Sequence, residues 1–119
     1  MKLVTQGEHA QVCGAACLAM LAGVGLEAAC QAHRFFGPVR AKVLVRAICK
    51  YGWSAGECSH SAPVCNTALV FWRGPRRVGH WVVLHLGNWF DCDRGILTEL
   101  PKGWTVERHW PLNRHSITN

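Results

Sequence analysis

A change of pattern near Gly52 divides this chain into two halves that cannot share one kind of secondary structure. Before it, apolar residues recur at helical spacing; after it, short segments rich in Val, Trp, Phe and Thr are separated by Gly and Pro, the habit of antiparallel strands. Over residues 12–22 small and apolar side chains run almost without a break, which predicts a helix buried on most sides and ended by Gly23-Val24-Gly25. Residues 26–34 contain good helix formers and predict a second, shorter helix that stops before Phe35-Phe36-Gly37-Pro38. Over residues 40–51, Val43, Leu44, Ala47 and Ile48 fall on one face and Lys42, Arg46 and Lys50 on the other, so a third, amphipathic helix is expected up to Gly52. The strongest strand segments are 68–72, 81–86, 88–91 and 104–110, with Leu86-Gly87-Asn88-Trp89 turning the middle pair into a hairpin. Helices segregated from an antiparallel sheet make an α+β domain. At 119 residues, 50% of them hydrophobic, the chain can bury one core, and residues 1–119 are expected to form a single domain.

Several function classes drop away on composition. A charged fraction of 17% against that apolar content is globular, not disordered. No apolar run approaches the roughly 20 residues that cross a bilayer, since the longest, 15–26, is broken by Gly23 and Gly25. The first residues lack the charged-then-apolar order of a secretory signal, so no membrane association and a cytoplasmic location are expected. Seven cysteines are an odd count for a disulfide scaffold, and several lie on apolar, helix-like stretches, so buried free thiols are expected. No Cys-x-x-Cys pair exists, and Cys13 and Cys17 stand four apart inside a helix; a structural zinc is the lesser reading, and neither metal nor cofactor is expected. The formal charge of +6 is spread along the chain except at Arg73, Arg76 and Arg77, which predicts attraction to anions and no defined nucleic-acid site.

Chemistry concentrates at two places. Cys13 falls at the amino end of the first helix, where unpaired N–H groups and the dipole favour a thiolate, and Gly14-Ala15-Ala16 leave room for a carbonyl to approach the sulfur. Cys13 and Cys17 also make sense as small core residues, and Cys17, one turn on, is read as core. A thiol nucleophile needs a histidine to take its proton, and that histidine needs an orienting group. His80 begins a strand after the loop 73–79, and the return strand of the same hairpin runs into Asp91. His85 lies on the opposite face of a regular strand from His80 and cannot share its site. The six tryptophans read as packing, with Trp81, next to His80, the one placed to wall a cleft.

Gln6, the block Cys13-Gly14-Ala15-Ala16-Cys17-Leu18-Ala19-Met20-Leu21, the block Gly79-His80-Trp81-Val82-Val83-Leu84 and the pair Phe90-Asp91 together resemble the bacteriocin-processing peptidase family and its stand-alone relatives. The resemblance runs from Gln6 to about Gly95 and implies a papain-like fold, with the nucleophile helix packed on a C-terminal antiparallel sheet. It also implies that Cys13 is the nucleophile, His80 the general base and acid, Asp91 the residue orienting the imidazole, and Gln6 an oxyanion donor beside the backbone N–H of Cys13. Two departures stand out: Gln6 lies seven residues before Cys13 where the family has six, so residues 7–11 must bulge or the donor role must move, and the family's Asp-Pro is here Asp91-Cys92-Asp93, which leaves Asp93 as a rival orienter.

The implied activity is a cysteine hydrolase acting on a peptide or protein substrate through a thioacyl-enzyme. The same residues would serve a deamidase or an acyl transferase, and a catalytically silent binding module using the basic surface is the reading from another class.

Overall fold

The computed structural model describes residues 1–7 and 11–115. It is an α+β structure in which three helices, α1 (Cys13–Ala22), α2 (Leu26–His33) and α3 (Ala41–Cys49), precede all strands of a six-stranded antiparallel sheet. The strands are β1 (Trp53–Ala55), β2 (Thr67–Arg73), β3 (Gly79–His85), β4 (Asn88–Asp91), β5 (Gly95–Leu97) and β6 (Thr105–Arg114), in the spatial order β1-β6-β2-β3-β4-β5.

The helices follow their sequence signals to within two residues. In α1 every residue from Gly14 to Leu21 is buried, and Gly23, at φ 73°, closes it with an N–H bond to the Ala19 carbonyl. α3 buries Leu44, Ala47 and Ile48, but Val43, expected on the same face, is 46% exposed because it lies at the margin of the apolar stripe. The hairpin between β3 and β4 is tighter than the four residues expected: only Leu86 (φ 50°) and Gly87 (φ 82°) lie between the paired residues His85 and Asn88, and two successive positive φ angles suit the twist of a two-residue turn. Strands β1 and β5 were not expected, and the last strand runs beyond 110 through Pro111 to Arg114. Between Phe71 and Trp72 the pairing of β2 with β6 slips by one residue, leaving Glu107 as the extra residue of a bulge.

Side-chain alternation gives the sheet two different faces. Leu69, Phe71, Trp81, Val83, Phe90 and Trp110 join the core that contains Leu18 of α1 and Leu44 and Ile48 of α3. Ala68, Val70, Trp72, Val82, Leu84 and Trp89 form a second cluster on the other side, with Trp104 and Val106 packed against it. All seven cysteines are free, yet only Cys17 and Cys92 are fully buried and Cys58 is exposed, which corrects the expectation of buried thiols. That expectation extended helical burial to cysteines that lie at helix margins or in loops, where one side stays in water. Among the described residues no single helix is long and apolar enough to cross a membrane.

Candidate active site

Cys13 is the first residue of α1, after Val12, whose side chain provides no cap. The first N–H groups of the helix are therefore not taken up by a side chain at the N-cap. The thiol sits where α1 docks on β3, and its sulfur accepts the backbone N–H of Trp81 at 3.5 Å. Burial, the largest influence, pushes the Cys13 pKa up; His80 beside it and the N–H groups of Trp81 and Gly14 outweigh this and hold the thiol below its ordinary value. One turn further along, Cys17 has nothing to offset burial, and its pKa is driven well above the ordinary value, as befits a core residue.

His80 and Asp91 come from the β3–β4 hairpin. The paired residues Val83–Phe90, Leu84–Trp89 and His85–Asn88 put Asp91 diagonally across from His80 on the same face. His80 Nε2 lies 2.6 Å from Asp91 Oδ1, leaving Nδ1 as the free ring nitrogen. Burial works against an imidazolium here, but the bond to Asp91 and the nearby Cys13 overcome it and raise the His80 pKa to about 9. Asp91 is completely buried, and burial works against its charge. Even so, hydrogen bonds from His80, the Asp93 backbone N–H and Arg94 bring its pKa down to about 2. Asp93 therefore does not displace Asp91: its N–H closes a turn on Asp91 Oδ1 at 2.9 Å, while the Asp91 side chain takes the imidazole.

Sequence reasoning missed two members of this cluster. Arg94 donates from Nη1 to Asp91 Oδ2 at 2.9 Å, so both carboxylate oxygens are bound by charged or chargeable partners. Trp104 lies edge-on to the His80 ring, 6.0 Å between centroids, and the Arg94 guanidinium stacks on Trp104 at 4.6 Å. Arg94 was detectable in principle, since Asp-x-x-Arg followed by Gly95, here at φ 92°, is a tight-turn signal. Trp104 carries no such local signal.

These residues open on a cleft of about 570 Å³ lined by Gln6, Cys13, His80, Trp81, Arg94 and Trp104, among others. Two glycines keep it open: a Cβ on Gly14 would collide with the Val39 side chain, and one on Gly79 would enter the Phe71 ring. Trp81 walls the cleft, as expected from its place beside His80. Gln6 also lines it; its backbone N–H bonds the Cys92 carbonyl at 3.1 Å, and its buried side-chain oxygen has no partner among the described residues. The bulge expected over residues 7–11 spans residues 8–10, which lie outside the described residues, but Gly7 (φ 56°) and Gln11 (φ 63°) on either side both take the left-handed conformation.

His80, Asp91 and Cys92 place three potential metal-ligand atoms within 4.8 Å of one another, a grouping not anticipated from cysteine spacing. The 2.6 Å between Nε2 and Oδ1 suits a shared proton, whereas two ligands on a tetrahedral zinc stand roughly 3.3 Å apart, and burial pushes the Cys92 thiol up to about 12. The donor set fits a hydrogen-bonded dyad better than a metal centre. No known protein family matches this chain, and no curated protein matches it.

Proposed function

We propose that this chain is a cysteine hydrolase of papain-like type, and that it cleaves peptide bonds in a peptide or protein substrate. The observation that carries the reading is the alignment of a thiol at a helix start, an imidazole beside it, and a buried carboxylate 2.6 Å from the far ring nitrogen of that imidazole. The packing of α1 against β3, with base and orienter on an antiparallel sheet, accords with a papain-like arrangement. The preference for a peptide over a side-chain amide comes from the sequence resemblance. A cytoplasmic location is part of this reading, and seven free thiols accord with a reducing compartment.

In this mechanism the Cys13 proton passes to His80, and the thiolate attacks the scissile carbonyl carbon. The oxyanion is held by the Cys13 N–H and the Gln6 amide. The imidazolium protonates the amine as the C–N bond breaks, leaving a thioester. His80 then takes a proton from water, hydroxide adds to the thioester, and the acid and free thiol are released. Asp91 keeps the ring in one tautomer throughout and offsets the imidazolium charge.

The test is the rate of Cys13 alkylation by iodoacetamide against pH, read by intact mass. The expected profile is already fast at neutral pH and collapses in His80→Ala to that of an ordinary thiol titrating near about 8.5. A wild-type profile already of the ordinary kind would overturn the assignment. Screening a peptide panel for turnover adds the oxyanion arm. Gln6→Ala should lose roughly a hundredfold in turnover with alkylation intact, while Gln11→Ala stays near wild type. The reverse pattern would move the donor role to Gln11.

A further inference from the structure

We propose that the cleft continues into a cationic subsite that selects substrates bearing acidic side chains a few residues from the scissile bond; this rests on the hydrolase reading above. A second groove, of about 350 Å³, shares Val39, Phe71 and Trp81 with the cleft around Cys13, so the two adjoin across these side chains. Beyond those shared apolar residues it adds Arg40, Ala41, Lys42 and Arg108 and no acidic residue.

The three cations are available to a ligand. Arg40 and Lys42 are exposed and join no ion pair among the described residues. The Arg108 guanidinium is held over two rings, 5.5 Å from Phe71 and 5.3 Å from Trp110; its Nε is buried, while the side chain as a whole is 36% exposed. The nearest carboxylate is Glu107 at 3.9 Å, beyond hydrogen-bond reach, and both oxygens of Glu107 already accept from Arg73, at 3.0 and 3.1 Å. A guanidinium fixed by stacking and still partly open to solvent can meet a carboxylate through its exposed part. No acidic residue in the first turn of α3 offsets this field.

The other end of the cleft has no such excess. There Asp93 offsets Arg94, which is itself committed to Asp91. One arm of an extended substrate therefore meets a near-neutral rim and the other an aromatic wall followed by three positive charges. Selection falls on that second arm. Each exposed charge pair changes affinity by roughly one- to fivefold, so a peptide engaging two or three is discriminated through their product.

Two sets of electrophilic peptides test this, in each of which three positions are all Glu, all Gln or all Lys. One set is chloromethyl ketones, with the varied residues on the amino side of the reactive group; Cys13 sulfur bonds to the methylene and chloride leaves. The other is epoxysuccinyl peptides, which place them in the opposite direction; sulfur opens the epoxide, and its oxygen takes up a proton. Second-order labelling of Cys13 is followed by mass at about 50 mM salt. In one of the two sets the Glu probe should react roughly tenfold faster than the Lys probe, with Gln between, and the gap should shrink at high salt. Lys42→Glu combined with Arg108→Glu should erase or invert that order without changing iodoacetamide alkylation. Lys42→Glu alone, at an exposed position, should shift it part of the way even if the double variant folds poorly. Equal rates for all three probes in both sets, on a Cys13 that iodoacetamide alkylates rapidly, would overturn the subsite and leave the hydrolase reading standing. Slow alkylation by iodoacetamide would take both down.

Discussion

The two faces of the sheet use similar aromatic and aliphatic residues for different ends. On the face covered by α1 and α3, Phe71, Trp81 and Trp110 pack into an apolar core and the backbone N–H of Trp81 meets the Cys13 sulfur. On the opposite face Trp72 and Trp104 flank His80, Trp89 packs on Trp72, and the buried Asp91 is tied to the more exposed Arg94. The helical face lends the site its thiol; the other face lends a buried carboxylate and imidazole whose pKa values shift in opposite directions. The site forms at one end of the interior strands β3 and β4, where the two faces meet.

The sharpest way to break this contrast is to remove the charge from the second face alone. Asp91→Asn should lower turnover by roughly a thousandfold or more, because the imidazole loses the acceptor that sets its tautomer. The same variant should reshape stability against pH. In the folded protein Asp91 titrates at about 2, below its ordinary 3.8, so its contribution is present above about pH 4 and disappears as the pH falls toward 2. His80 titrates at about 9, above its ordinary 6.5, so its contribution is complete below about pH 6.5 and disappears as the pH rises through 9. Urea midpoints should therefore be highest between about pH 4 and 6.5, with on the order of 2 kcal/mol lost on each side. Asp91→Asn should flatten the acid limb and weaken the alkaline one; an unchanged profile would mean that the dyad does not carry the dependence.

A smaller effect separates the carboxylate from its support. Arg94→Met keeps the His80–Asp91 bond but strips one partner from a buried charge, and should cost about 1–3 kcal/mol in urea unfolding. Turnover should fall roughly tenfold, and the acid limb should move to higher pH because Asp91 becomes easier to protonate. If only stability changes, Arg94 serves the fold alone. The smallest effect belongs to the helical face. Cys17→Ala should cost about 1 kcal/mol and leave the pH profile of Cys13 alkylation as it was.

The parts of the site legible in the sequence are those set by local pattern. The apolar run ending at Gly23 announced α1 and put Cys13 on its first turn, and the Val- and Trp-rich segments joined by a Gly87 turn brought His80 to Asp91. The sequence was silent where tertiary pairing overrides local preference. Strands β1 and β5 have three residues each, too few to show a period, and Pro111 reads as a strand breaker although its carbonyl accepts the Gly56 N–H within the fold. The contact of Trp104 with His80 depends on where a loop settles after the sheet has formed, and the cationic groove depends on a helix start and a bulged strand that meet only in three dimensions.

The β3–β4 hairpin has a consequence for how the protein acquires reactivity as it folds. His80 and Asp91 are separated by 11 residues, whereas the Cys13 sulfur meets Trp81 across 68. Closing the longer loop costs roughly 1.5 kcal/mol more in chain entropy than closing the shorter one, and it brings no contact to the thiol until α1 has docked. Chain entropy therefore favours earlier assembly of the proposed base and its orienter, while the sulfur gains its low pKa only once α1 has docked on β3. On the proposed hydrolase reading, a newly made chain would be protected from its own chemistry, because Cys13 would become reactive only as the fold is completed.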